Sequence, residues 1–215
     1  LQAFMRRARG LRRFNAGRAR LVFAMDATAS RQPTWDLAVS LQADMFRASA
    51  DLAPLAIQLA WYRGLGELHL DEWQADAEQL ARRMSAVRCM AGRTQIARLL
   101  RTVLRQQTGA AARALVFIGD AMEEEPTILS ELAGQCRIQG LPLFLFQEGR
   151  DPTVTHCFRE MARISGGAWS HFDQRSAQRL AELLGAVARY AAGGRVALEN
   201  SRSSGARLLL DQLPR

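Results

Sequence analysis

Three short polar clusters hold the residue types that could do chemistry together. Asp26, Thr28 and Ser30 take alternate positions of Asp-Ala-Thr-Ala-Ser, and the small alanines between them leave room for the loop to curl around an ion. Thr94 lies in Gly92-Arg93-Thr94, and Asp120 lies in Gly119-Asp120. Together they offer two carboxylates and three hydroxyls, all hard oxygen donors. Magnesium and manganese favour such donors, in an octahedral shell at about 2.0–2.1 Å that usually keeps several waters. Each residue alone also has a plainer use. Ser30 or Thr28 could cap a helix beginning near Pro33, and Asp120 one beginning near Pro126.

The clusters sit where an alternating fold would place them. Leu21 to Met25 is continuously apolar and runs into Asp26; Ala114 to Ile118 runs into Gly119-Asp120; Leu141 to Phe146 runs into Gln147-Glu148-Gly149. Leu55 to Tyr62 leads to the turn Arg63-Gly64-Leu65-Gly66, after which Glu67 to Leu70 alternates as an edge strand of a hairpin would. Ala168 to Phe172 is a shorter last strand. Helical periodicity fills the intervals. Pro33 opens a helix with Leu37, Leu41 and Met45 on one face, and Asp71 reads as the cap of one with Trp73, Leu80 and Met84. Thr94 opens the next, with Ala97, Leu100 and Leu104. Pro126 and Pro152 open two more, and a last one carries Leu180, Leu183, Leu184 and Val187 and stops at Gly193-Gly194. The pattern predicts an α/β fold of the Rossmann-like, doubly wound kind: a mostly parallel central sheet with one antiparallel edge strand and helices on both faces. Such sheets place ligands at the carboxyl ends of their strands.

Charge and composition narrow the function. The chain of 215 residues has 29 basic side chains, all arginine, and a formal net charge of +8. Without lysine there is no P-loop lysine, no Schiff base to pyridoxal phosphate and no kinase strand lysine. Arginine cannot substitute, because it does not give up its proton. The arginine-only usage points to a GC-rich, bacterial source. Seven arginines and no acid fall in the first 20 residues, so the rest of the chain is nearly neutral. The expected organisation is an arginine-rich extension over residues 1–19, a domain over 20–193 and a C-terminal tail over 194–215. Phe4, Ala8, Leu11 and Phe14 recur at helical spacing in the extension, which could be a solvated leader, pack as a helix, or bind an anionic surface or nucleic acid. Leu1 suggests that something upstream has been removed. Cys89, Cys136 and Cys157 are isolated, which argues against a zinc site or a disulfide framework and for a cytoplasmic setting. No apolar run approaches the roughly 18 residues needed to span a bilayer, and no secretory signal is present.

The three clusters, in this order and each after its own element, resemble the metal-ion-dependent adhesion site (MIDAS) of von Willebrand factor A (VWA) domains. That pattern is Asp-x-Ser/Thr-x-Ser, then a distant loop threonine, then a distant aspartate. Asp26, Thr28 and Ser30 match the first part, Thr94 the second and Asp120 the third, over about residues 20 to 192. The resemblance implies that Thr28 and Ser30 would contact Mg2+ or Mn2+ directly. Thr94 would be a conditional ligand, and Asp26 and Asp120 would act through waters. It also implies a non-enzymatic domain whose protein partner completes the shell with an Asp or Glu. The main rival, a haloacid-dehalogenase-like phosphatase or phosphotransferase using Asp26, lacks both the second aspartate, at Thr28, and the usual lysine. A phosphorylatable receiver domain fails for the same lysine. Glu123, Glu124 and Glu125 suit the start of a helix or could tune the site, and Glu148, Arg150 and Asp151 are either rim or turn residues. His69, His156 and His171 lack ligand spacing, and Trp35, Trp61, Trp73 and Trp169 read as core.

Overall fold

A computed structural model of the chain describes residues 18–107, 111–172 and 177–214. The periodicity noted at Phe4, Ala8, Leu11 and Phe14 lies outside them. Among the described residues six strands form one sheet: β1 (Ala19–Asp26), β2 (Leu55–Arg63), β3 (Glu67–Leu70), β4 (Ala114–Gly119), β5 (Leu143–Glu148) and β6 (Ala168–Phe172). Their order is β3-β2-β1-β4-β5-β6, parallel throughout except for β3, which pairs antiparallel with β2 across the Gly64 turn. Gly64 has a φ of 59°, the left-handed conformation that a glycine supplies there. The doubly wound sheet with one antiparallel edge expected from the apolar pattern is the sheet observed.

Among the described residues seven α-helices cover it: α1 (Gln32–Ser49), α2 (Ala77–Ser85), α3 (Ile96–Gln106), α4 (Pro126–Ile138), α5 (Pro152–Ser165), α6 (Ala177–Glu199) and α7 (Ser204–Leu210). The two faces of β1 explain why its sequence is apolar without a break. Leu21, Phe23 and Met25 pack with Trp35 and Met45 of α1 and Leu184 and Val187 of α6. Val22 and Ala24 belong to the opposite core, with Leu99 and Leu100 of α3, Leu132 of α4 and Phe158 of α5. A strand buried on both faces has no polar side to alternate with.

One feature departs from the sequence pattern. Helix α2 begins later than a cap at Asp71 implies; Asp76 is its N-cap and accepts from the Glu78 amide at 2.7 Å. Asp71 instead ends the hairpin, its amide bonded to Leu59 O. Both aspartates precede the same apolar repeat, so spacing alone does not choose between them. At Gly193-Gly194 the helix ends as the sequence reads: Gly194 (φ 67°, ψ −160°) is non-helical, a second helical stretch follows to Glu199, and α7 brings Ala206, Leu209 and Leu213 into the α1/α6 core.

A candidate metal centre at the carboxyl end of the sheet

Strand order reverses between β1 and β4, and the crevice opens there, as expected of a doubly wound sheet. Met25 pairs with Ile118, so Asp26 and Asp120 leave neighbouring strands at the same end. Asp26, Thr28, Ser30, Thr94 and Asp120 all line one open cleft of about 310 Å³, together with Gly92 and Glu123.

The first loop curls because Asp26 Oδ1 accepts the Thr28 amide at 2.7 Å, which leads into a short 3-10 turn, Ala29–Arg31. The capping alternatives are not used: neither the Thr28 nor the Ser30 hydroxyl caps a helix, α4 has no side-chain cap, and Asp120 pairs elsewhere. These oxygens are therefore not committed to helix ends.

The loop carrying Thr94 is held from several sides. Met90 N bonds Ala27 O and Arg93 N bonds Gly64 O, both at 3.0 Å, while Cys89 N bonds Gln32 Oε1 at 3.1 Å. The Thr94 hydroxyl donates to Glu124 Oε2 at 2.6 Å and accepts from the Glu123 amide at 2.8 Å. One of its two lone pairs remains for another group. The other Glu124 oxygen accepts the Ala97 amide in the first turn of α3 at 3.1 Å. Glu124 thus clasps the Thr94 loop to the β4–α4 loop and satisfies an otherwise open helix donor. Replacing Glu124 by Ala is expected to cost about 1 kcal/mol, the usual value of a lost helix cap. In a domain of this size that lowers the midpoint of thermal unfolding by roughly 2–4 °C, with Glu124→Gln, which keeps an acceptor, losing less; scanning calorimetry of the two variants checks both.

Electrostatically the centre of the site is Asp26. Burial pushes its carboxyl up to about 6; the Asp120 charge adds to that rise, while the Thr28 bonds and Arg31 oppose it. Its Oδ2 atom is buried and has no hydrogen-bond partner among the described residues. The hydroxyl of Tyr62, the residue paired with Asp26 across β1 and β2, is equally buried and has no partner within hydrogen-bond distance among the described residues. Burial and then the Asp26 carboxylate push its phenol well above the usual range. Buried polar atoms are nearly always satisfied, so an orphaned carboxylate oxygen at the head of an oxygen-lined cleft fits a cation with its waters. Among the described residues no three His, Cys, Asp or Glu side chains gather to hold an ion. A cation here would therefore depend on the hydroxyls of Thr28, Ser30 and Thr94 beside the two carboxylates.

One member of the site has no signature in the sequence. Arg31 is buried, and its guanidinium pairs with Asp120 Oδ2 at 3.0 Å and with Glu148 Oε2. Glu148, on the β5 end, also accepts from the Thr34 hydroxyl. Glu148 is thus a buried anchor, and Asp151 caps α5 through the Thr153 and Val154 amides. Nothing in type or spacing sets Arg31 apart from the chain's many other arginines.

The remaining reactive groups lie outside this chemistry. Burial pushes the thiols of Cys89 and Cys157 up to about 11 and that of Cys136 to about 12, so all three stay protonated near neutrality. His69 stacks on Trp61 with ring centroids 4.4 Å apart. Trp35 and Trp61 are core residues, whereas Trp73 and Trp169 are partly buried and covered by Arg20 and Arg159 at 5.0 and 4.3 Å. Among the described residues no helix is long and apolar enough to cross a membrane.

No protein-family model matches the sequence, and no curated protein matches it. Solved structures do match. A von Willebrand factor type A protein from Catenulispora acidiphila superposes with a TM-score of 0.61 at 16% identity, over 82% of this chain and 43% of that one. Proximal thread matrix protein 1 from the mussel byssus, solved with a zinc-occupied MIDAS motif, gives 0.63 at 12% identity, over 80% of this chain and 46% of that one. The SpRpn10 VWA domain gives 0.58 at 9% identity, over 75% of this chain and 94% of that one. At such identities the likeness is one of fold. The chain has the von Willebrand factor A fold, and it spans less than half the length of the first two matches.

Proposed function

We infer that the chain is a metal-dependent protein-interaction domain, whose cleft holds Mg2+ or Mn2+ and through it binds an Asp or Glu of a partner protein. The observation that carries this reading is the convergence of Asp26, Thr28, Ser30, Thr94 and Asp120 on one cleft in which a buried Asp26 oxygen has no hydrogen-bond partner among the described residues. The zinc-occupied motif of the mussel protein of the same fold supports it. Thr28 and Ser30 are the proposed direct ligands, Thr94 a conditional one, and Asp26 and Asp120 hold waters and balance charge. A bound cation supplies a Lewis-acidic position for a carboxylate oxygen. The protein's own part is to keep that position open. Its carboxylates are few, Glu124 accepts the hydrogen bond of the Thr94 hydroxyl and leaves it a free lone pair, and the Thr94 loop is tied to the β2–β3 turn. No catalytic role is assigned to Asp26, since the residue two positions on is a threonine and the chain has no lysine.

Asp26→Ala and Thr94→Ala are each expected to abolish or strongly weaken Mg2+ and Mn2+ binding in calorimetry, with circular dichroism unchanged. Unaltered affinity in both variants would refute the assignment. Pull-downs comparing wild type with Asp26→Ala, in magnesium and in chelator, test the partner half of the proposal. The expected result is a protein retained only by wild type and only with magnesium. Retention that ignores both chelator and mutation would reject it.

A further inference from the structure

The Arg31 guanidinium directs each of its three nitrogens to a different group. Nε donates to Ser30 Oγ at 3.4 Å, Nη2 pairs with Asp120 Oδ2 at 3.0 Å, and Nη1 pairs with Glu148 Oε2. Two of those three groups belong to the set inferred above to hold a divalent cation. We propose, resting on that reading, that Arg31 is a tethered cation competing with the divalent ion for Ser30 and Asp120, and that Glu148 is the counter-anchor drawing it back toward β5.

The physical grounds are charge, reach and burial. Arginine keeps its proton under all relevant conditions, so its positive charge is always present. Arg31 is 6% exposed, and a charge so enclosed is screened little by salt. A divalent ion among Thr28, Ser30 and Asp120 is repelled by that charge at close range and must share the oxygens that Arg31 already engages. Glu148 acts in the opposite sense. It is 8% exposed, and its Oε2 accepts from both Arg31 and the Thr34 hydroxyl, which fixes Nη1 at the end of β5 rather than of β1. The two residues therefore push metal affinity in opposite directions. A simple brace would behave differently: removing either half of a buried pair strands the other charge and loosens the same loop, so both substitutions would weaken the site alike.

The experiment titrates wild type, Arg31→Met, Glu148→Gln and the double variant with Mg2+ and Mn2+ by calorimetry, alongside circular dichroism. Arg31→Met is expected to bind Mn2+ about tenfold more tightly than wild type, and Glu148→Gln about tenfold more weakly, with the double variant between them. Weakening in both single variants, or wild-type affinity in Arg31→Met, overturns the proposal. Should Arg31→Met fail to fold, Arg31→Gln keeps amide donors without the charge and carries the same expectation. A wild-type chain that binds neither ion overturns the metal reading itself, and this inference with it; wild-type binding that Arg31 does not influence overturns only the inference.

Discussion

Replacing Asp26 by asparagine is expected to stabilise the metal-free domain by about 3 kcal/mol at pH 7, the equivalent of a shift of roughly two pKa units. The substitution is also expected to abolish the domain's response to divalent cations. Asp26 has a buried carboxyl raised to about 6, with one oxygen lacking a hydrogen-bond partner among the described residues. In the unfolded chain the same group titrates near 3.9. Below that value both states are protonated and the group costs nothing. Between about pH 4 and 6 the unfolded state ionises while the folded state holds its proton, so stability falls as pH rises; above 6 the full cost remains. Asparagine keeps the shape and can still accept the Thr28 amide, but it carries no charge to desolvate. Urea unfolding in chelator from pH 4 to 8 should therefore show a falling curve for wild type and a flatter, higher one for Asp26→Asn. Magnesium should raise the wild-type curve above pH 6 and leave the variant unmoved. Parallel curves for the two proteins would show that burial of this carboxylate is not the cost described.

Gly92→Ala is expected to be the most damaging small substitution near the cleft. A Cβ built on Gly92 lies 2.2 Å from Gly64 O, 2.4 Å from Gly64 N and 2.5 Å from Gly64 C. These are backbone atoms of the tight turn between β2 and β3, so no side chain can swing aside. The two chains must separate, breaking the 3.0 Å bond from Arg93 N to Gly64 O and carrying Thr94 away from the cleft. Overpacking of this kind costs about 3 kcal/mol, toward the upper end of the usual range. In a domain of this size that means a fall of roughly 6–12 °C in the unfolding midpoint. Calorimetry should show weaker Mn2+ binding in the same protein. A variant with a wild-type midpoint would mean that the turn and the Thr94 loop are not locked together.

The parts of the molecule legible in the sequence share one physical cause. β1, β2, β4 and β5 are central strands buried on both faces, so they appear as unbroken apolar runs, and the residue that follows each run reaches the ligand end of the sheet. That places Asp26 and Asp120 from local pattern alone. The helices follow from their repeats, and Pro33, Pro126 and Pro152 mark their starts. Helix boundaries were less legible where two aspartates compete, as at Asp71 and Asp76. At Gly193-Gly194 the glycine pair reads as a helix end, and the non-helical Gly194 does break the helix there. What local spacing does not encode is that Leu209 and Leu213, further on, pack into the α1/α6 core.

The sequence by itself determined the kind of fold, the five oxygen-bearing residues and their order along the chain. Those depend on short-range hydrophobic period, on the residues that follow strand ends and, for Thr94, on a loop hydroxyl at a helix start. Only the tertiary structure decided how those oxygens are committed. Arg31 meets Glu148 across 117 positions of sequence, and Thr94 meets Glu124 across 30. An arginine is ordinarily a surface residue. It becomes a buried member of this site because β1, β4 and β5 lie side by side and bring two carboxylates within reach of one guanidinium, an adjacency set by strand order rather than by any stretch of sequence.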